Sequence, residues 1–253
     1  MFDLLTVKLL EYTRNPEKLT ATAAKTCWSG TPPSKIYETI TDESVKDMVK
    51  KINEARHETP REHAYFTFAV EGISLPAVQQ LLRYRIATFN QMSMRYVNVS
   101  NKDAVIPPSI MATQNQTSVL LSASGMREPT PYEAFTKLTA TARDVYQFLI
   151  QKGIPNDEAR YALTLNTTTQ LVFTMNVVEL RHMLGQRLCA RASWEIREMA
   201  EQVAAIVKEI APELFKDAGP ICEQLGYCPE ADMSCGKKPT LQTIVDFYAE
   251  HHK

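Results

Sequence analysis

Glycine is scarce in this chain. It supplies only 8 of the 253 residues, which is about half of the usual ~7%. The sequence contains no G-x-G-x-x-G run and no G-x-x-x-x-G-K-[ST] run, so the two common glycine-rich phosphate cradles are excluded. If the chain binds a nucleotide, arginines and helix ends must hold the phosphate groups.

The sequence also lacks excess charge and long apolar runs. Its 28 Lys and Arg residues nearly balance its 29 Asp and Glu residues, so any anion site must be local and we expect no nucleic-acid partner. No apolar run approaches the ~20 residues of a membrane span. The first residues lack the basic-then-apolar layout of a signal peptide. We therefore expect a cytoplasmic protein without a membrane partner.

Cysteine is present in an odd number and without close pairs. The chain has five cysteines and no C-x-x-C run, which argues against a secreted disulfide framework. Cys189, Cys222, Cys228 and Cys235 leave open a four-thiolate zinc site. Because that spacing is atypical of zinc sites, reduced cysteines without a metal are the favoured interpretation.

The order of predicted elements indicates an α+β fold, with an antiparallel or mixed sheet and a large helical part. We expect one domain over 1–253, in which 216–253 is a cysteine-containing tail and 98–128 is irregular. Hydrophobic periodicity and β-forming residues predict the following elements: a strand and a short helix within 1–28, a helix over 42–52, a strand over 62–74, helices over 130–152 and from Pro155, a strand over 167–175, and helices from Asn176 and over 193–210.

The helix predicted over 74–82 leads into an arginine-rich segment. Ser74 can cap this helix, and Leu75, Val78 and Leu82 form its apolar stripe. Gln80 and Arg83 then share another face, because residues three apart are neighbours on a helix. Both side chains can therefore reach one ligand.

Residues 83–96 bring three arginines, two amides and a serine together, and no acidic residue occurs between 73 and 102. If the chain is extended here, Gln91, Ser93 and Arg95 share one side of a strand. Such donors predict a site for a phosphorylated, planar, hydrogen-bonding ligand. A solvated charged face with ion pairs is the alternative, and it is the usual role of surface arginines.

Arg83-x-Arg85, followed by seven residues and Ser93, resembles the signature of the flavin-dependent thymidylate synthases. That family normally reads Arg-His-Arg, and here Tyr84 stands where the histidine is usual. Two further stretches, 57–63 and 187–197, resemble the family in the same order. The resemblance covers roughly 20–215.

The resemblance implies roles for individual residues. The implied flavin-site residues are His57, Thr59, Glu62, Arg83, Tyr84, Arg85, Asn90, Gln91, Asn176 and His182. The implied nucleotide-site residues are Gln80, Arg83, Gln91, Ser93, Arg95, Arg160 and Arg187. Of these, Arg187 is the expected catalytic residue, because a fixed guanidinium can stabilise negative charge that develops on a pyrimidine. The alternative is an arginine that only complements the dipole at a helix C-terminus.

The reaction implied by the resemblance converts dUMP to dTMP. Methylenetetrahydrofolate donates the carbon, FAD that NADPH has reduced delivers a hydride, and the active sites form where the protomers of a homotetramer meet. Val178 is a second departure, since members often carry an arginine at this position. Two other interpretations stay open: a non-catalytic member that binds flavin or dUMP, and an RNA-binding module that uses the arginines and aromatic residues of 83–96.

Overall fold

The computed structural model describes residues 4–116 and 128–251. Its strands are β1 (Thr6–Tyr12), β2 (Tyr65–Ser74), β3 (Ala87–Gln91) and β4 (Thr168–Asn176). Its helices are α1 (Pro16–Thr26), α2 (Pro33–Thr39), α3 (Asp42–Glu54), α4 (Leu75–Leu81), α5 (Pro108–Met111), α6 (Pro131–Gln151), α7 (Asn156–Ala159), α8 (Val177–Arg187), α9 (Trp194–Ile210), α10 (Pro212–Phe215), α11 (Ile221–Leu225) and α12 (Leu241–His251). Short 3-10 helices cover Thr59–His63, Arg160–Ala162 and Ala231–Met233.

The strands form one sheet in the order β1-β2-β4-β3, and the predicted α+β class is confirmed. The Val177 backbone N–H donates to the carbonyl of Ala64 (2.9 Å), and the hydroxyls of Thr67 and Thr174 lie 2.9 Å apart. As residue numbers rise along β2 they fall along β4, so these two strands are antiparallel. None of the helices in the described ranges has the length and apolar composition needed to cross a membrane.

The chain divides into two compact units. The α6 unit comprises the described residues of 1–5, 71–79 and 90–171, and the α8 unit comprises those of 6–70, 80–89 and 172–253. The expectation of one domain over 1–253 stays a prediction.

In the α6 unit, helix α6 begins at a capping box and confirms the prediction for 130–152. The Thr130 hydroxyl accepts from the backbone N–H of Glu133 (3.2 Å), and the Glu133 carboxylate accepts from the backbone N–H of Thr130 (2.8 Å). This reciprocal pair satisfies two of the N–H groups that a helix start leaves free. Tyr146 of α6 is fully buried, and its hydroxyl accepts from the backbone N–H of Val99 (3.2 Å). The helix therefore fixes the segment that follows β3.

In the α8 unit, helix α9 lies where the pattern over 193–210 predicts it. Its buried positions include Ile196, Ala200, Val203 and Val207. The apolar periodicity over 193–210 also predicts Trp194 and Ile206 in this stripe, but both are only half-buried. Val207 replaces Ile206 because it lies closer to a full helical turn beyond Val203.

Candidate active site

The helix after β2 is shorter than the sequence pattern indicates. Helix α4 ends at Leu81, which is fully buried, whereas Leu82 is 46% exposed. The predicted stripe is therefore wrong at Leu82, because this residue lies beyond the last helical turn. The predicted cap is present, since the Ser74 hydroxyl accepts from the backbone N–H of Ala77 (3.5 Å). Arg83 lies in the turn after the helix, not on a helical face that it shares with Gln80.

The chain beyond β3 turns instead of continuing as a strand. Strand β3 ends at Gln91, and the backbone N–H groups of Tyr96 and Val97 both donate to the carbonyl of Ser93 (3.2 and 3.0 Å). The prediction that Gln91, Ser93 and Arg95 share one side of a strand is therefore wrong. The Ser93 hydroxyl accepts from the backbone N–H of Arg95 (3.3 Å), which is a turn contact.

Gln91 and Ser93 nevertheless line one cavity of the α6 unit, together with Arg160. The cavity volume is ≈ 760 Å³, within the ~300–1,000 Å³ of typical small-molecule sites. Its wall also includes Gln79 and Tyr161, which the sequence analysis did not identify. The only available signal was their position next to Gln80 and Arg160. Apolar walls with a few converging donors suit a small polar ligand.

Two arginines of the α6 unit share one carboxylate. The Nε atom of Arg95 lies 3.1 Å from Asp157 Oδ1, and Nη2 of Arg160 lies 3.0 Å from the same oxygen. The Nε–H of Arg160 also donates to the backbone carbonyl of Asp157 (3.0 Å). The absence of acidic residues over 73–102 therefore does not leave Arg95 without a counter-ion, because its partner comes from a distant part of the sequence.

Arg83 and Arg85 differ from these two arginines. Both side chains are exposed between α4 and β3. Within the described parts of the chain, neither guanidinium has an acidic group at ion-pair distance. Asn90 of β3 is exposed as well. These two arginines therefore remain able to bind an anion without losing a protein partner.

Arg187 is the last residue of α8. The helix begins after Asn176, whose side-chain oxygen accepts from the backbone N–H of Glu179 (2.9 Å), as the capping prediction expects. Nη2 of Arg187 donates to the backbone carbonyl of Gln80 (3.0 Å), and the guanidinium carbon lies 5.3 Å from the ring centroid of Tyr84. Its Nε atom is buried and has no hydrogen-bond partner among the described residues. A buried N–H without a partner is a donor that a ligand can satisfy.

Tyr84 ends a chain of polar contacts that we call the Tyr84 chain: Tyr84, Gln186, His182 and Glu179. The Tyr84 hydroxyl donates to Gln186 Oε1 (2.9 Å), and Gln186 Nε2 lies 2.8 Å from His182 Nε2. His182 Nδ1 lies 3.5 Å from Glu179 Oε2. The Glu179 carboxylate thus faces His182. Burial raises the pKa of Tyr84, although the charge of Arg187 and a hydrogen bond with its side chain oppose this shift, so the phenol beside Arg187 stays neutral.

The stretch 57–63 forms a turn and a short 3-10 helix around a buried arginine. Arg61 is buried and donates to Glu58 Oε1 (2.6 Å) and Asn53 Oδ1 (2.5 Å). Arg61 could not be predicted as buried, since nothing in a polar run of the sequence distinguishes it from an exposed arginine. Thr59 and Glu62 are exposed on either side of it.

His57 precedes this 3-10 helix and is paired with an aromatic neighbour. Its ring stacks against Trp28 with a centroid distance of 6.4 Å, and Trp28 is 64% exposed. The sequence analysis did not identify Trp28 either. The pair gives the α8 unit an exposed planar surface, of the kind on which ring ligands stack.

The model of the family described as "Thymidylate synthase complementing protein" matches residues 8–213 of this chain. A flavin-dependent thymidylate synthase from Clostridium tetani is 38% identical over 246 residues, which cover 94% of this chain and 96% of the relative. One from Geobacter sulfurreducens is 38% identical over 240 residues, which cover 94% and 97%. This chain belongs to the flavin-dependent thymidylate synthase family. The resemblance read from the three motifs is therefore confirmed.

A solved structure supports the fold of this family member. It is a UMP/dUMP methylase, PolB, from Streptomyces cacaoi, bound with 5-Br dUMP. The TM-score is 0.69 at 24% identity, and the match covers 85% of this chain and 96% of that chain. At this identity, the likeness establishes a shared fold.

The four zinc-candidate cysteines of this family member line one cavity of ≈ 400 Å³ in the α8 unit, which Arg187 also lines. Burial, and then the neighbouring thiols of Cys189 and Cys228, raise the pKa of Cys222. Cys189 lies in the turn after α8. Across residues 4–116 and 128–251, no group of three or more His, Cys, Asp or Glu side chains is arranged to hold a metal ion. The arrangement therefore gives the zinc hypothesis no support.

Proposed function

We propose that this chain catalyses the reductive methylation of dUMP to dTMP. Methylenetetrahydrofolate is the carbon donor, and FAD reduced by NADPH is the hydride donor. The observation that carries the proposal is the buried, unpartnered Nε–H of Arg187, in a chain of the flavin-dependent thymidylate synthase family. The names of the relatives, and the 5-Br dUMP bound to the methylase of the same fold, support this activity.

The cavity of the α6 unit fits a pyrimidine nucleotide. Arg160 supplies a permanent positive charge for the phosphate, and Gln91 and Ser93 supply amide and hydroxyl groups. Met92 and Met94 give the cavity apolar wall, which suits the face of a pyrimidine ring. The recognition chemistry therefore matches dUMP without a glycine-rich loop.

The α8 unit offers groups that fit a flavin. A cavity of ≈ 440 Å³ is lined by Val178, His182 and Gln186, and the exposed Arg83 and Arg85 have no acidic partner among the described residues. Cofactor phosphates need such arginines here, because the glycine loops are absent. When bound and reduced, the flavin supplies the hydride. His57, Thr59, Glu62, Asn90 and Asn176 are proposed as further flavin-site residues on the family resemblance.

Arg187 is proposed as the residue that polarises the pyrimidine. Its guanidinium stays protonated, and a buried donor that is already oriented stabilises developing negative charge more than a solvated one. A role limited to the helix dipole would contribute about 0.3–1 kcal/mol at an exposed helix end. That role does not explain why the Nε–H is buried without a partner. Ser93 is proposed as a binding residue, so the reaction uses no protein nucleophile.

The assembly is proposed to be a homotetramer. In that arrangement the nucleotide groups of the α6 unit and Arg187 of the α8 unit need not meet within one protomer. Size-exclusion chromatography with light scattering tests this proposal, and a monomer at micromolar concentration contradicts it.

The test of function is the visible spectrum of the purified protein, recorded anaerobically before and after NADPH, with and without dUMP. We expect a flavin spectrum that bleaches with NADPH, followed by dTMP formation once methylenetetrahydrofolate is added. A protein that cannot be loaded with FAD contradicts the enzyme assignment. Retained flavin and dUMP binding without dTMP formation identifies a non-catalytic member instead.

A further inference from the structure

Tyr84 occupies the position at which this chain departs from the arginine motif of its family. The side chain is only 5% exposed, although both neighbours in the motif, Arg83 and Arg85, are exposed. Its ring faces the guanidinium of Arg187 at 5.3 Å and the ring of His182 at 5.6 Å, edge to face. The residue is therefore packed into the site and not presented to solvent as its neighbours are.

The Tyr84 chain allows one consistent direction of hydrogen bonding. The Glu179 carboxylate only accepts and lies 3.5 Å from His182 Nδ1, so the His182 tautomer that fits has its proton on Nδ1 and accepts at Nε2. The amide nitrogen of Gln186 must then donate to His182, which leaves its oxygen to accept from the Tyr84 hydroxyl. With a neutral imidazole, every bond in the chain points the same way. The contact of Glu179 with His182 therefore influences, through Gln186, how the Tyr84 hydroxyl is oriented.

We infer that Tyr84 is a positioning residue, which holds the Arg187 guanidinium for the pyrimidine nucleotide while Gln186 and His182 fix the phenol. The nucleotide as ligand rests on the proposed function, whereas the hold on Arg187 does not. The Gln80 carbonyl binds Nη2 from one side and the Tyr84 ring supports the guanidinium from another. The Nε–H remains for the ligand.

Tyrosine suits this place for an electrostatic reason. A histidine can gain a positive charge near neutral pH, and that charge would repel Arg187. The phenol stays uncharged, since burial raises its pKa, and its ring face attracts the cation. The family's usual histidine therefore cannot supply the same contact in every protonation state.

Two of the contacts of Tyr84, the bond of its hydroxyl with Gln186 and the packing of its ring against Arg187, are expected to contribute unequally. The hydroxyl binds Gln186, which is exposed, so water competes for this bond and its net contribution is small. The contact of the ring with Arg187 is shielded by burial of the tyrosine, where cation–π attraction is strongest. Removing the ring must therefore matter more than removing the hydroxyl.

The first experiment measures access to Arg187 without any ligand. Phenylglyoxal modifies free guanidinium groups, and mass spectrometry gives the labelling rate of the Arg187 peptide, with exposed Arg14 as internal reference. We expect labelling of Arg187 to be severalfold faster in Tyr84→Leu than in wild type, and near wild type in Tyr84→Phe. Tyr37→Leu is the matched control, because Tyr37 forms a separate cation–π pair with Lys18 at 4.8 Å. An unchanged labelling rate in Tyr84→Leu overturns the inference.

The second experiment measures the affinity for dUMP by calorimetry and the FAD content by absorbance. For Tyr84→Leu we expect dUMP affinity to fall about 10- to 30-fold, the limit set by loss of a desolvated cation–π contact. The family resemblance implies a flavin-site role for Tyr84, whereas a role limited to Arg187 predicts FAD content at the wild-type level in Tyr84→Leu. We expect Tyr84→Phe to lose less than about fivefold in dUMP affinity.

The outcomes separate the alternatives. Loss of FAD with wild-type dUMP affinity makes Tyr84 a cofactor residue and overturns the inference. A lower melting temperature with unchanged affinity and labelling makes its role structural and overturns it as well. Wild-type protein that does not bind dUMP contradicts the proposed function, while the labelling rates still decide whether Tyr84 holds Arg187.

Discussion

Two arginine sites, one in each unit of the molecule, are held in opposite ways. In the α6 unit, Arg95 and Arg160 share the carboxylate of Asp157. In the α8 unit, Arg187 is held by uncharged groups, the backbone carbonyl of Gln80 and the ring of Tyr84. The first arrangement offsets only part of the positive charge, because one carboxylate faces two guanidinium groups, and the second orients a guanidinium without an acidic partner among the described residues.

The difference indicates what each arginine is suited to bind. Asp157 is 46% exposed as a side chain, and exposed ion pairs contribute only about 0–1 kcal/mol. A phosphate can therefore replace this carboxylate at little cost. Arg187 is partly buried and, in the part of the chain that the structure describes, has no acidic partner in contact with it. Its positive charge can therefore stabilise negative charge that develops during a reaction.

Replacing Arg187 tests the arginine that is held by uncharged groups. We expect Arg187→Ala to lower kcat for dTMP formation about 10²- to 10³-fold, as for other preorganised donors. Arg187→Lys should not restore the rate, because an ammonium group lacks the planar fork. Exposed Arg14→Ala is the control. Wild-type turnover by Arg187→Ala would show that the catalytic assignment is wrong.

Replacing Arg160 tests one of the two arginines that share the carboxylate of Asp157. We expect Arg160→Ala to raise the KM for dUMP about 10- to 100-fold, with a smaller change in kcat, because a hydrogen bond to a charged group is lost. Arg95→Ala should have a smaller effect. Binding of deoxyuridine, which has no phosphate, should be the same in both variants as in wild type. Equal losses for dUMP and deoxyuridine would contradict a phosphate contact.

Arg181 can be compared with Arg187 within one unit, because Arg181 is an ion-paired arginine of the α8 unit. It donates to both carboxylate oxygens of Asp217, at 2.9 and 3.0 Å. Burial alone would raise the pKa of Asp217, but the hydrogen bonds and charge of Arg181 lower it overall. The pair therefore stabilises the fold above the pKa of an unfolded aspartate, and this contribution is lost as the pH falls through the folded value.

We expect Asp217→Asn to lower the free energy of unfolding by about 1–2 kcal/mol at pH 7. This loss is smaller than that for a fully buried ion pair, because half of the Asp217 side chain is exposed and solvent screens its charge. Urea unfolding at a series of pH values measures this. The difference between variant and wild type should shrink below about pH 4. A difference that is the same at pH 3 and pH 7 would rule out a charge effect.

Asp157 itself gives a smaller effect of opposite sign. We expect Asp157→Asn to strengthen dUMP binding about two- to fivefold at low salt, since the competing carboxylate is removed. The gain should shrink as salt rises, because screening weakens exposed charges. Calorimetry at two salt concentrations measures this, and weaker binding by the variant would show that Asp157 orients Arg160 instead of competing for it.

The thiol cavity of the α8 unit gives the smallest expected change. No metal-binding group is present in the described ranges, so we expect no stoichiometric zinc by mass spectrometry and no effect of a chelator on thermal stability. Stoichiometric zinc that is lost on Cys228→Ser would instead support the hypothesis of a four-cysteine zinc site.

Locally determined features of the fold could be predicted from the sequence. The Thr130 capping box and the Asn176 cap are set by neighbours three residues apart, so the starts of α6 and α8 are as expected. Strand β4 follows from a run of β-branched and apolar residues. The short helix α2 was not predicted, because it buries a single apolar residue, Ile36, and therefore shows no apolar stripe.

Features that depend on distant contacts could not be predicted. The turn over 93–97 is held near Val99 by Tyr146 of α6, and the partner of Arg95 lies on α7. Residue types were therefore a better guide to the site than the geometry assumed for them. Arg83, Arg85 and Arg187 could be singled out from the motif, but no pattern in the sequence predicts that Tyr84 contacts Arg187.

The Tyr84 chain has one property that its direction alone does not reveal. Gln186 stands between the phenol and the imidazole, and an amide side chain neither gains nor loses a proton at ordinary pH. The chain thus transmits orientation but does not conduct protons. Gln186 therefore cannot pass a proton from His182 to the phenol. Arg187 is thus connected to the exposed His182 through ring packing and hydrogen bonds. No path for a proton leads from His182 to Tyr84 through Gln186.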